Sequence, residues 1–286
     1  MWGKGRTPVD ESVYTPPREV TSVDDCYFYH TMDIPGHGVV TGEWDLRGRE
    51  NLYLGGFDFT GKRVLELGPA SGFLTRYMEQ AGAEVVAYDL SEDHSWDTVP
   101  FDGSDFAQLD SERREHIRRL NNGWWLNRSA NNLSARAVYG TVYTVPEAIG
   151  PVDVATFASI LLHVRDPFLA VQTAARLVRE TIIITDIYPT TDFHLVPDQL
   201  SSADPAIVTE LPKESFGEPK TVFMPQYWDK AYVDTWWLLS PTAVLRYLGV
   251  LGFTETKVTY HFAPSRGNPR TMLYTVVANR AEPVED

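Results

Sequence analysis

The chain of 286 residues contains a single cysteine, Cys26. One thiol can close no internal disulfide and build no multi-cysteine zinc site, and such scarcity fits a reducing compartment. No apolar run reaches the ~20 residues that a membrane-spanning helix needs. The opening "MWGKGRTPVDESVY" also lacks the apolar core of a secretory signal, so a cytoplasmic protein is expected. Positive charge is scarce as well: 25 Lys+Arg stand against 39 Asp+Glu, a formal net charge of −14. Phosphate backbones are gripped by cationic side chains that displace counterions, so this balance argues against nucleic acid as a partner. The one basic cluster, Arg113, Arg114, Arg118 and Arg119 in "SERREHIRRLNN", is interrupted by Glu112 and Glu115 and reads as a solvated helix face. The seven histidines show no metal-ligating spacing, so no metal is expected, and no nucleophilic Ser or Cys motif is present.

What remains is ordinary globular material: 43% hydrophobic and 22% charged residues in a length suited to one large domain with a cover. Residues 1–60 read as an N-terminal arm and cover segment, the first 25 of them polar, proline-bearing and loosely held. From Gly61 to the end the pattern alternates strand and helix. Strands are expected at Arg63–Leu67, Glu84–Leu90, Ala135–Tyr139, Val152–Ala158 and Thr181–Asp186, and a final pair at Glu255–His261 and Thr271–Ala278. Asp166-Pro167 and Ser240-Pro241 each supply an N-cap and a first-turn proline, predicting helices over Phe168–Arg179 and onward from Pro241 to Leu251. The expected fold is α/β and Rossmann-like: a seven-stranded, mainly parallel sheet with helices on both faces and an antiparallel last strand. Two long aromatic-rich insertions, 91–134 and 187–239, break the rhythm and are placed to roof the strand C-termini, where such sheets bind ligands.

The turn after the first of these strands reads Gly68-Pro69-Ala70-Ser71-Gly72, shorter than a dinucleotide G-x-G-x-x-G. Glycines there let backbone N–H groups approach a ligand closely. Glu66 lies in the strand before the turn, and Asp89 ends the next strand, where a carboxylate can accept both hydroxyls of an adenosine ribose. With these features, "VLELGPASG" and "VVAYDL" resemble the first two motifs of class I S-adenosylmethionine-dependent methyltransferases, and residues 61–186 follow the family well. The resemblance implies S-adenosylmethionine as cofactor, held by Glu66, Gly68, Pro69, Ala70, Ser71, Gly72, Asp89 and Leu90, with Ser159 at the end of a later strand. Where the family usually carries an Asp toward the adenine amine, this chain has Thr141, so the adenine contact is expected at the Val142 backbone and through apolar packing. More narrowly, "YFYHTMDIPGHGVVTGEWDLRG", "ILLHVRDP" and "WWLLSPTAVLRYLGVLGF" are similar to a branch labelled by likeness to wobble-uridine tRNA methyltransferases, a branch also similar to small-metabolite enzymes.

Methyl transfer from a sulfonium is an in-line displacement that needs alignment and exclusion of water, plus a base only where the acceptor must lose a proton. His163, His30 and Asp186 are the candidates for that role, each with a plain alternative in packing or turn formation. Arg47 either pairs with the methionine carboxylate or with Asp45 on the surface. Tyr29, Tyr188 and the pairs Trp124-Trp125 and Trp236-Trp237 are candidate acceptor contacts, on the reasoning that one ring of each adjacent pair faces away from the core. Such walls favour an aromatic or planar acceptor. The leading expectation is therefore methylation at O or N of a small organic molecule in secondary metabolism. A tRNA-modifying enzyme, a non-catalytic adenosine-cofactor-binding protein and, further behind, an NAD enzyme are the alternatives. A homodimer is compatible with the sequence.

Overall fold

The computed structural model describes residues 10–188, 209–210 and 217–282. Phe193 and Phe216, two aromatics of the second insertion, lie outside the described residues, as does about half of that insertion. A small hairpin comes first, β1 (Met32–Ile34) and β2 (Gly38–Val40), followed by a single helical turn, α1 (Glu50–Tyr53). The sheet then begins with β3 (Arg63–Leu67), α2 (Phe73–Gln80), β4 (Glu84–Asp89), α3 (Phe106–Ala130), β5 (Arg136–Tyr139) and β6 (Val152–Ala158). After these come α4 (Pro167–Ala175), β7 (Val178–Ile187), the two-residue β8 (Thr209–Glu210), β9 (Thr221–Phe223), β10 (Trp237–Leu239), α5 (Pro241–Val250), β11 (Phe253–Ser265) and β12 (Asn268–Arg280).

The main sheet has the order β5-β4-β3-β6-β7-β12-β11-β8. β3 to β7 are mutually parallel, while β12 runs antiparallel to both β7 and β11. The seven expected strands are all present, with the short β8 added beyond β11. The tight turn at Gly267, with φ +79°, folds β12 back so that it slots between β7 and β11. The chain runs outward from β3 to β5 and returns to β6 on the other side of β3. That reversal opens a crevice beyond the carboxyl ends of β3 and β6, the general ligand position in such sheets.

Physical chemistry accounts for the element ends. Asp166 accepts from the Leu169 N–H and Ser240 from the Ala243 N–H, each capping a helix whose first residue is proline. α4 stops at Ala175, four residues before the expected end, because Val178 already pairs with Val152 and begins β7. The isoleucines 182, 183 and 184 of β7 are buried on both faces of the sheet, each worth about 1.5–3 kcal/mol by apolar transfer. Residues 10–25 are docked, not loose: Asp10 N–H donates to Ala148 O, Thr15 N–H to Ala137 O on the edge strand β5, and Arg18 pairs with Glu92. Edge strands carry open backbone groups, and this segment closes one of them.

α3 is the element on which sequence reasoning went furthest astray. It extends over 25 residues, and every residue from Leu120 to Asn127 is buried. A helix buried all round is enclosed on more than one side. Here the cover segment supplies that further enclosure, so close that a Cβ on Gly123 would meet Tyr27 O at 2.7 Å. Trp124 and Trp125 are therefore both in the core, at 4% and 2% exposure, contrary to the one-ring-each expectation.

Candidate active site

The turn between β3 and α2 is shaped by three left-handed residues: Gly68 at φ +71°, Ala70 at +51° and Gly72 at +80°. A side chain at Gly68 would place its Cβ 2.4 Å from the Ile160 Cγ2 just beyond β6, and one at Gly72 would meet Trp124 and Asn127 within 2.9 Å. Both glycines are thus required by backbone conformation and by space. The Asn127 side-chain amide donates to Ser71 O and Gly72 O, holding the turn against α3. Ser71 is fully buried, and its hydroxyl accepts from the Tyr29 N–H at 3.2 Å, which ties the cover segment to the turn. Pro69 is buried beside it.

Two carboxyls flank this turn. Glu66 is buried beneath it and accepts from the Thr75 hydroxyl at 2.5 Å; Thr75 in turn accepts from the Trp124 indole at 3.2 Å. Burial is the dominant influence and pushes Glu66 up to about 8, the Thr75 bond opposing it and the charge of Asp89 adding to it. Asp89 at the end of β4 accepts from the Leu90 N–H at 2.8 Å and is raised to about 6, again chiefly by desolvation. The Ala70 N–H in the turn also donates to Asp89, and a carboxylate so placed, at the carboxyl end of β4, suits a vicinal diol that brings two O–H groups. The donor set, the tight glycines and the crevice therefore fit S-adenosylmethionine. Past β5, the Thr141 carbonyl is taken by the Tyr88 hydroxyl and the Val142 carbonyl by Thr173, so an adenine contact at Val142 would come from its N–H. Ser159, with φ +53° after β6, shares its hydroxyl with Tyr53 at 2.7 Å.

Beside the crevice lies a cavity of about 330 Å³ lined by Tyr27, Tyr29, Glu43, Trp44, Trp96, Arg113, His116, His163, Asp234, Ser265 and Arg266. The cover segment, the first insertion, the turn after β6, the segment before β10 and the β11–β12 hairpin each contribute to it. His163 is the sequence candidate that the structure brings into this wall. Its Nδ1 lies 2.6 Å from the backbone carbonyl of Asp234. A carbonyl only accepts, so Nδ1 carries the hydrogen, and Nε2 of the neutral ring is an acceptor. Burial lowers the His163 pKa, the Asp234 carbonyl opposing that shift. Tyr29 is the other candidate in the wall.

The remaining candidates are not among the cavity residues. His30 is buried against Phe73, with ring centroids 5.5 Å apart, its Nδ1 unpartnered and its pKa pushed down to about 4 by desolvation. Asp186 is buried at the end of β7, accepts from the Ile187 N–H at 2.7 Å, leaves Oδ2 without a partner among the described residues, and is raised to about 7 by burial. Arg47 is exposed and forms a bidentate pair with Asp45 at 2.7 and 2.5 Å, the surface alternative to a carboxylate contact. Trp124 donates to Thr75 beneath the turn, and Trp125 donates to the Tyr139 hydroxyl at the end of β5. Trp236 donates to Asp97 O and Trp237 to Arg165 O, fastening the segment around β10 to the loops beneath it. Tyr188 meets Tyr260 edge-on in the main core.

Sequence reasoning missed Glu43, Arg113, His116, Asp234 and Arg266 as site residues. Arg113 pairs with Asp234 at 2.9 Å and lies over the Trp96 ring, 4.8 Å from its centroid. Glu43 accepts from the Tyr27 hydroxyl at 2.5 Å and from Arg266 at 2.9 Å. Neither pair leaves a local signal, since its members come from distant parts of the chain. Among the described residues no helix is long and apolar enough to cross a membrane, and no cluster of three metal-ligating side chains occurs.

The crystal structure of the N-terminal domain of EvdMO1, determined in the presence of SAH and D-fucose, is 20% identical with a TM-score of 0.51, covering 89% of this chain and 91% of that one. A Burkholderia thailandensis 1,6-didemethyltoxoflavin-N1-methyltransferase with bound S-adenosylhomocysteine is 14% identical with a TM-score of 0.44, covering 82% and 77%. No curated protein matches by sequence. The family model described as "Methyltransferase domain" matches residues 46–246, well over half of the chain. The chain belongs to this methyltransferase family, and it is an S-adenosylmethionine-dependent enzyme.

Proposed function

We propose that the protein methylates oxygen or nitrogen of a small organic metabolite seated in the 330 Å³ cavity beside the cofactor crevice. The observation that carries this reading is the His163 tautomer. Its Nδ1 is bound to the Asp234 carbonyl, which leaves Nε2 as an acceptor without a partner among the described residues, on a ring that lines the cavity. A neutral imidazole so fixed can take the proton of an acceptor hydroxyl or amine. When bound, S-adenosylmethionine supplies an electrophilic methyl on positively charged sulfur. The Gly68–Gly72 turn would cradle the cofactor, Asp89 would accept its ribose hydroxyls, and the Val142 N–H would face its adenine. The cover segment, held to the turn through Ser71, keeps water from the reacting atoms. To Asp186, buried at the end of β7 with one unpartnered oxygen, we assign a positioning role toward the cofactor rather than contact with the acceptor.

The expected planar, aromatic acceptor rested on the tryptophan pairs, and none of those four rings lines the cavity. A tRNA acceptor has less support still. Of the four arginines in the basic stretch, Arg113, Arg114 and Arg118 pair with Asp234, Asp110 and Glu115, and Arg119 donates to the carbonyls of Asp24 and Cys26. The test is incubation of the purified protein with methyl-labelled S-adenosylmethionine and a metabolite extract, followed by mass spectrometry. A labelled small-molecule product supports the reading. Label appearing only in tRNA refutes it, as does cofactor binding with no transfer to any fraction.

A further inference from the structure

The cavity wall holds four charged side chains, and they cancel in pairs: Arg113 with Asp234, and Arg266 with Glu43. An acceptor of net charge would meet no matching counter-charge. The pairs also leave specific valences open. Arg113 Nε is buried and has no acceptor among the described residues. The Tyr29 hydroxyl receives a hydrogen bond from the Trp44 side chain, so its own proton is available to donate. On the accepting side, Asp234 uses Oδ2 for Arg113, and Glu43 uses Oε1 for both Tyr27 and Arg266. That leaves Asp234 Oδ1, Glu43 Oε2 and His163 Nε2 as acceptors without partners among the described residues. At least two donors and three acceptors thus belong to residues of one small cavity, and the His116 ring adds one of each.

A carboxylate ligand would satisfy the donors and repel the acceptors, and an ammonium would do the reverse. A flat phenol offers one hydroxyl to at least five open groups, and those it covers without pairing become buried and unsatisfied at about 1–3 kcal/mol each. Hydroxyl groups donate and accept at once, and several of them on one ring answer the whole set. The rings of Tyr29, Trp44 and Trp96 supply apolar surface for the C–H faces of such a ring. A volume of about 330 Å³ lies at the small end of ligand pockets, which suits a single ring.

We infer that the acceptor is a neutral, hydroxyl-rich ring of sugar or cyclitol chemistry, methylated on one of its hydroxyl oxygens; this rests on the methyl-transfer reading above. In that step the hydroxyl oxygen forms the new C–O bond as the S–C bond breaks. The sulfur keeps the bonding pair and becomes a neutral thioether, and the hydroxyl proton passes to His163 Nε2.

The experiment is saturation-transfer NMR on the full chain saturated with S-adenosylhomocysteine. The probes are methyl glucoside, methyl galactoside, methyl rhamnoside and myo-inositol, set against catechol, 4-hydroxybenzoate and tyramine. At least one neutral polyol is expected to bind, and Arg113→Met and Asp234→Asn are each expected to weaken it tenfold or more. Binding of S-adenosylhomocysteine by both variants shows that they are folded. Binding of catechol, 4-hydroxybenzoate or tyramine with no polyol overturns the inference, and so does binding of no probe while S-adenosylhomocysteine binds. Failure of the wild type to bind S-adenosylhomocysteine is a separate result, which removes the methyl-transfer reading itself.

Discussion

Glu66→Gln isolates the electrostatic cost of the acid beneath the turn. In the folded chain Glu66 sits near pKa 8, against an ordinary carboxyl value of 4.5, because burial disfavours its charge. The folded state therefore holds a proton that the unfolded state has released across that window, and stability falls as pH rises from about 4.5 toward 8. Each pH unit inside the window costs about 1.4 kcal/mol at most. Between pH 5 and pH 7.5 the wild type should lose about 2–3 kcal/mol more than Glu66→Gln, whose amide does not titrate. Asp89 and Asp186, also raised by burial, titrate equally in both proteins and cancel in the comparison. Urea unfolding of both proteins at half-unit pH steps measures the difference directly. Parallel pH profiles would refute the reasoning, because they would mean that Glu66 is charged in the folded chain at neutral pH.

Two further outcomes follow from the same geometry. His163→Gln should lower kcat on the acceptor recovered by mass spectrometry by roughly 10²–10⁴-fold, the range for loss of a general base, while leaving affinity for S-adenosylhomocysteine within twofold; an unchanged kcat returns His163 to a packing role. Trp124→Ala removes a buried indole from between Gly72 and Thr75 and should cost about 3–5 kcal/mol in chemical unfolding. A loss below 1 kcal/mol would mean that the ring is not part of the core.

The parts of this molecule legible in sequence are those whose physics is local. The Gly68–Gly72 turn, the Asp89 position and the Asp-Pro and Ser-Pro caps each depend on a few neighbouring residues, and β3, β4 and β6 fall within a residue of their expected bounds. The enclosure of α3 was not legible. Whether Trp124 and Trp125 can both be buried depends on a cover segment about a hundred residues earlier in the chain. The pairing of Arg113 with Asp234, across 121 positions, likewise has no signature in either segment. Roofing of the crevice by the insertions was expected from their placement after strand ends. Their tryptophans, though, were assigned to the acceptor wall on the reasoning that one ring of each adjacent pair faces away from the core, whereas Trp125 binds the Tyr139 hydroxyl at the end of β5 and Trp236 and Trp237 fasten loops together.

The most direct measurement is calorimetric titration of S-adenosylhomocysteine into the wild type and Asp89→Ala. The account predicts saturable one-to-one binding to the wild type and at least a tenfold loss in Asp89→Ala, as the ribose hydroxyls lose their charged acceptor. Equal affinity in the two proteins would remove Asp89 from the cofactor site. No binding to the wild type, with NAD binding in its place, would contradict the central claim.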